Sequence, residues 1–225
     1  MEIPVYSVAG QVVDHMTVDE AALGGRPNME LIRQAILMYE ANQRVGTAKT
    51  RTRGEAKRSD HKPRPQKHSG RSRQGTRNSP IWVGGGVAHG PVPRDYRQKM
   101  NRTARRQATR SAFLAKALDG EVLALDDLQL PAGKTKEMAA VLRNLGIERT
   151  FLIVLPVGDA ELWRCTRNIR GASMKAYKEL NAYELIRPRQ VVFTREALEA
   201  FLREAEPGAD EQAPSDAAVG VSNDG

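Results

Sequence analysis

Residues 150–155 read TFLIVL, and after Thr150 no position is polar. A run of that length without alternation is a strand that buries both faces, the pattern of a parallel sheet covered by helices. The chain around it supports this. Val122–Leu125 is a short apolar run, Lys136–Asn144 and Ala160–Ile169 carry helical spacing, Val191–Thr194 is a strand, and Glu196–Glu204 closes as a helix. Strand, helix, strand, helix implies right-handed crossovers and an α/β fold, a mostly parallel sheet with helices on both faces. Toward the N-terminus, Ile3–Val13 alternates around Gly10 as a strand or hairpin. Asn28 precedes a helix with Glu30 in its first turn and Leu31, Ile32, Ala35, Ile36 and Tyr39 on one face, ending near Val45–Gly46.

The 225 residues carry net charge +8, distributed very unevenly. Residues 1–43 sum to −4, residues 44–110 to +16, residues 111–202 to +1 and residues 203–225 to −5. Positive charge this local marks a binding surface. Cys165 is the only cysteine, which leaves no intrachain disulfide or cysteine zinc site and reads as a structural thiol. No apolar run approaches a membrane span, and MEIPVYSVAG lacks a basic region followed by an apolar stretch, so the expectation is a cytoplasmic protein without a membrane partner.

The charge concentrates in residues 46–80, GTAKTRTRGEAKRSDHKPRPQKHSGRSRQGTRNSP. Eleven Lys or Arg face two acids, Glu55 and Asp60, and, prolines aside, the only apolar side chains are Ala48 and Ala56. Such a segment cannot bury enough apolar surface to offset its ordering entropy, and its charges repel. It is expected as part of a long extended loop, residues 46–99, ordered against a polyanion, and its own 35 residues, divided into two arms, could reach about 55 Å from a body formed by residues 1–45 and 100–205. Pro63 and Pro65 stiffen one arm, and Gly70 and Gly75 permit turns. Arg71, Arg73 and Arg77 share a side in extended backbone, where forked guanidinium groups follow phosphates or stack on bases. Trp82 is either a stacking platform or a core anchor. Gly84–Gly86, Pro91 and Pro93 mark irregular backbone. Residues 206–225 are expected to form a disordered acidic tail.

Arg102–Leu118 reads as a helix. Arg102, Arg105, Arg106 and Arg110 fall within an arc of about 140°, with Ala104, Ala108, Ala115 and Leu118 opposite. The alanine side is expected to pack inward and the arginines to point out.

Enzyme signals are weak. Gly133-Lys134-Thr135 resembles the end of a phosphate-binding loop, but Leu128 stands where its first glycine belongs. Gly84–Gly86 lacks dinucleotide spacing. Asp126-Asp127 has no histidine nearby, and His15, His61, His68 and His89 show no ligand spacing. No cofactor, metal, small-molecule substrate or catalytic residue is expected.

Lys62–Tyr96, KPRPQKHSGRSRQGTRNSPIWVGGGVAHGPVPRDY, resembles the signature of the bacterial large-subunit ribosomal protein number four family. Pro131, Lys134-Thr135-Lys136, Arg167-Asn168, Leu180-Asn181-Ala182-Tyr183 and the closing VVFTREALEAF match as well, so the similarity spans roughly residues 1–204. Arg64-Pro65 and His68-Ser69 stand where that family usually has Trp-Arg and Gly-Thr. The resemblance implies a non-catalytic constituent of the large ribosomal subunit. Its body would lie on the outer face, with the loop threading large-subunit (23S) rRNA to the peptide exit tunnel beside neighbouring ribosomal proteins. Family members also act early in subunit assembly, and some repress their own operon by binding its mRNA.

The residues implied to contact rRNA in the loop are Lys49, Arg51, Arg53, Lys57, Arg58, Lys62, Arg64, Lys67, Arg71, Arg73, Arg77, Trp82, Arg94, Arg97 and Lys99. The helix adds Arg102, Arg105, Arg106 and Arg110. Lys67, His68, Ser69, Gly70 and Arg71 are implied to line the tunnel. The alternative is a free-standing RNA- or DNA-binding regulator using the same surface.

Overall fold

The computed structural model describes residues 1–130, 133–147 and 149–205. Pro131 and the acidic segment 206–225 lie outside them. Two compact units divide the chain, residues 40–98 as one, and residues 1–39 with residues 99 onward as the other. The larger unit is an α/β fold with six α-helices among the described residues and a six-stranded sheet.

Its strands are β1 (Glu2–Tyr6), β2 (Val12–Thr17), β3 (Val122–Leu125), β4 (Phe151–Leu155), β5 (Ala172–Ala176) and β6 (Gln190–Thr194), in the order β2-β1-β3-β6-β4-β5. Only β1 and β2 pair antiparallel, and every other pairing is parallel. The helices are α1 (Met29–Gln43), α2 (Arg102–Leu118), α3 (Thr135–Asn144), α4 (Ala160–Thr166), α5 (Ala182–Ile186) and α6 (Arg195–Ala205).

All five residues of β4 are buried, because both faces are covered. Leu152 and Val154 join a core containing residues of α1, α2, α5 and α6, whereas Phe151, Ile153 and Leu155 join one containing residues of α3 and α4. β6 divides the same way, with Val191 and Phe193 on the first side and Val192 on the second. The two-residue period of a strand thus sends alternate side chains into separate cores. On the first side the rings of Phe113, Phe193 and Phe201 meet with centroids 4.9–5.9 Å apart, tying α2, β6 and α6 together.

The N-terminal alternation resolves as a hairpin. Gly10 has φ 82°, and a side chain there would fall on the Asn144 carbonyl, so glycine lets this turn sit against the end of α3. Asn28 caps α1, its Oδ1 accepting from Leu31 N at 3.0 Å. That helix stops at Gln43, short of the expected Val45–Gly46.

Three further readings need correction. The 160–169 helix ends at Thr166, whose hydroxyl donates back to the Leu162 carbonyl at 2.8 Å, and the chain then turns into β5. β5, ASMKA, gave no strand signal because it has no β-branched residue and pairs with β4 alone. The two-faced picture of α2 holds only in part: Arg102 and Arg105 are exposed and Ala108 is buried, but Arg106 and Arg110 are half-buried. Ser111, Ala112, Phe113, Leu114 and Lys116 are buried although they surround the helix, while Leu118, expected inward, is 53% exposed. Packing against the sheet, α5 and α6 encloses the second half on more sides than a simple amphipathic stripe provides.

Among the described residues of this body, Lys116 is the buried cation. Its ammonium pairs with Glu121 and donates to the carbonyls of Pro188 at 2.8 Å and Arg189 at 3.3 Å, joining the end of α2 to the entry of β6. Cys165 is buried and free, as a structural thiol. Asp126 after β3 pairs with Arg195 at the start of α6 at 3.3 Å, and Asp127 accepts from Gln129 within the loop at 2.7 Å. No helix among the described residues is long and apolar enough to cross a membrane.

Lys116→Ala should leave Glu121 and two carbonyls without their cation and lower unfolding stability by about 3 kcal/mol. Urea denaturation of wild type and variant measures this difference, and an unchanged midpoint would contradict a structural role for the ammonium.

Candidate nucleic-acid interface

Residues 44–101 contain neither helix nor strand. At the base of the loop the two arms bond to each other. Arg94 N donates to Gly46 O at 3.1 Å, Thr50 N to Pro91 O at 3.0 Å, Val87 N to Arg51 O at 2.9 Å and Gly86 N to Asn78 O at 2.9 Å. The glycines explain how this happens without apolar side chains. A Cβ at Gly46 would fall on the Arg94 carbonyl, at Gly85 on the Ser79 carbonyl and at Gly86 on the backbone of Thr52 and Arg53. Backbone packs directly on backbone, so the amides find partners although no hydrophobic core exists.

Both acids of residues 46–80 serve this local structure. Glu55 pairs with Lys49 at 2.7 Å and accepts from Thr52 N at 3.2 Å, and Asp60 accepts from the Asn78 amide. The Lys49 contact and the Thr52 N–H hold the Glu55 carboxyl below its ordinary range. Asn78, 3% exposed, is buried. Trp82 is half-buried with Arg64 over its ring at 5.9 Å, so the loop itself uses this tryptophan as an anchor. At the other end Tyr96 lies between Arg44, 3.9 Å from the ring centre, and Arg94 at 4.4 Å. Hydrogen bonding from Arg94, with the charges of Arg94 and Arg44, lowers the pKa of its phenol. Arg44 was missed from sequence because it sits outside the recognisable basic run.

These engagements sort the expected contact residues. Lys49, Arg64 and Arg94 already hold partners within the loop, Arg58 packs over Gly84, and Lys62 donates to Gln66. Arg51 and Arg53 lend backbone to the arm pairing. Among the described residues, Lys57, Lys67, Arg71, Arg73, Arg77, Arg97 and Lys99 show no side-chain partner and are exposed. The stretch Lys67–Arg71 makes no hydrogen bond among the described residues. His68 has φ 65° and Gly70 φ 61°. Left-handed backbone favours glycine, the residue usual at position 68 in the family resembled above, although histidine tolerates it better than most.

In the larger unit, α2 begins at Arg102 with no acid in its first turn and no side-chain cap from Asn101. Arg102 and Arg105 are exposed there, adding cations to the positive end of the helix dipole. That arrangement repels itself until an anion arrives. Arg106 and Arg110 are not outward as expected: both are half-buried around a cleft with Tyr177 and Lys178, and Arg110 donates to the Glu204 carbonyl at 3.1 Å. Among the described residues no group of His, Cys, Asp and Glu could hold a metal ion.

The family model for the ribosomal protein L4/L1 family matches residues 16–204. The chain belongs to the ribosomal protein L4/L1 family. It is therefore a structural ribosomal protein and not an enzyme. Relatives named large ribosomal subunit protein uL4 include that of Symbiobacterium thermophilum, 39% identical over 88% of this chain and 95% of its own length. The Brevibacillus brevis protein is 39% identical over the same shares. That of Rhodopirellula baltica is 34% identical over 88% of this chain and 89% of its own.

Gly86→Ala should force the arms apart, costing about 1–3 kcal/mol of overpacking at the loop base. Amide exchange at Val87 and Thr50 should quicken by about tenfold or more, while exchange in β4 stays unchanged. Tyr96 should ionise below the ordinary phenol range, and a Tyr96→Phe difference titration by ultraviolet absorbance isolates it. Because its folded pKa is lowered, its contribution to stability grows as pH rises through that value and is complete above about pH 10. Titration at the ordinary value would contradict the stacked geometry.

Proposed function

We propose that this protein is a constituent of the large ribosomal subunit that binds large-subunit (23S) rRNA through its basic loop and the first half of α2. The observation carrying this reading is the set of exposed cations without partners on backbone that bears almost no apolar side chain. Each phosphate they neutralise releases counterions, which supplies affinity that no hydrophobic contact in this segment could. The relatives bearing the large-subunit name support the same destination.

In this reading the loop, residues 46–99, enters crevices between rRNA helices that a folded domain is too wide to enter. Lys67, His68, Ser69, Gly70 and Arg71 line the exit tunnel, where their unsatisfied groups face rRNA, water and the passing chain. Neighbouring ribosomal proteins complete the surroundings, and early docking of the loop would support subunit assembly. The internally engaged cations set the shape of the loop base, and the free ones make the contacts.

Tagged protein should cosediment stoichiometrically with large subunits at low salt, and its absence from them would favour the free regulator. Arg102→Glu with Arg105→Glu should weaken rRNA binding by about tenfold or more at physiological salt in filter-binding assays. A photoreactive residue in place of His68 should crosslink to nascent chains in translating ribosomes. No crosslink there, with normal subunit incorporation, would remove the tunnel assignment while leaving rRNA binding intact.

A further inference from the structure

A cleft of about 470 Å³ opens on the α3–α4 side of the sheet. Leu142, Ile147 and Ile169 contribute its apolar floor, and Arg143, Arg149 and Arg170 stand around it. All three arginines are exposed and have no side-chain partner among the described residues. No described residue lining the cleft is acidic. The Arg167-Asn168 pair immediately precedes two of these lining residues, and Arg167 lies over the half-exposed Trp163 ring at 5.1 Å.

We propose that this cleft is a second RNA-binding site, taking an unpaired nucleotide with its base over the apolar floor and its flanking phosphates on the three arginines. The inference rests on the rRNA-binding reading above and extends it to a part of the body with nearly balanced charge in sequence. Geometry makes the two sites separate. Ala108 and Ala112 of α2 pack into one core, whereas Leu142, Ile147 and Phe151 belong to the core on the opposite face of the sheet. One RNA helix lying along α2 cannot also fill the cleft, so the body bridges two RNA segments.

The chemistry favours an unpaired nucleotide over duplex. A concave pocket with an apolar floor accepts the flat face of a base splayed out of its stack, and paired bases do not present that face. Guanidinium groups serve phosphate by forked hydrogen bonding and serve bases by stacking. Among the described residues no acid stands among these three guanidinium groups to offset their mutual repulsion, and a bound phosphate would offset it.

The test uses the full chain and large-subunit rRNA, with hydroxyl-radical footprinting and filter binding across a salt series. Arg143→Ala, Arg149→Ala and Arg170→Ala together should remove one discrete patch of protections. They should also lower the slope of log affinity against log salt by about 2–3. Protections lost in an Arg71→Ala, Arg73→Ala, Arg77→Ala variant should remain. The corresponding triple lysine variant should recover most of the slope but not the full affinity, since lysine keeps charge without the fork. Unchanged protections and slope in the alanine variant, with the loop variant impaired, would overturn the cleft site alone. An acidic segment of a neighbouring protein as the true occupant would produce that same result on naked RNA. Failure of the wild-type chain to bind rRNA at all would bring down both readings.

Discussion

Like-charge repulsion within residues 44–110 governs how this protein must be built. A net +16 in 67 residues opposes compaction, and residues 46–80 offer no hydrophobic gain to counter it. The body and the loop answer in different ways. The body keeps most of its charges at the surface, satisfies the buried Lys116 internally, and buries apolar strands between helices. The loop replaces side-chain packing by direct backbone approach at Gly46, Gly85 and Gly86, so its hydrogen bonds close at short range without a core.

Internal pairing then divides the cations into two populations. Lys49 with Glu55, Arg64 over Trp82, and Arg44 and Arg94 about Tyr96 shape the loop base. Lys57, Lys67, Arg71, Arg73, Arg77 and Arg97 are exposed with no side-chain partner among the described residues. A surface intended only for solubility would not hold its few acids in structural contacts while leaving a line of cations unmatched. The same contrast recurs in the body, where Lys116 is buried and satisfied but Arg143, Arg149 and Arg170 are exposed with no side-chain partner among the described residues.

Local signals written in the chain were legible from sequence. Continuous apolarity from Phe151 to Leu155 marked a strand covered on both faces, the Asn28 cap marked the start of α1, and the loop motif pointed to its family. Boundaries set by distant contacts were not. The 160–169 helix gives way to a turn in which Ile169 N donates to the Thr166 carbonyl and Ala172 N to the Ile169 carbonyl, and β5 itself is a strand because β4 offers it an edge. Arg44 escaped notice because its role depends on Tyr96, more than fifty residues away.

Sequence alone determined where charge accumulates, which runs must be buried, and which glycines stand ready for close approach, since composition and periodicity are properties of the chain itself. Only tertiary structure decided which arginines are spent on internal partners, why Arg106 and Arg110 turn toward α6, and how three cations from separate segments gather around one apolar hollow. The physical reason is that pairing and burial are set by distance in space. Arg143 and Arg170 are brought to the same cleft by the packing of α3 and α4 on the sheet, and nothing in their spacing along the chain announces it.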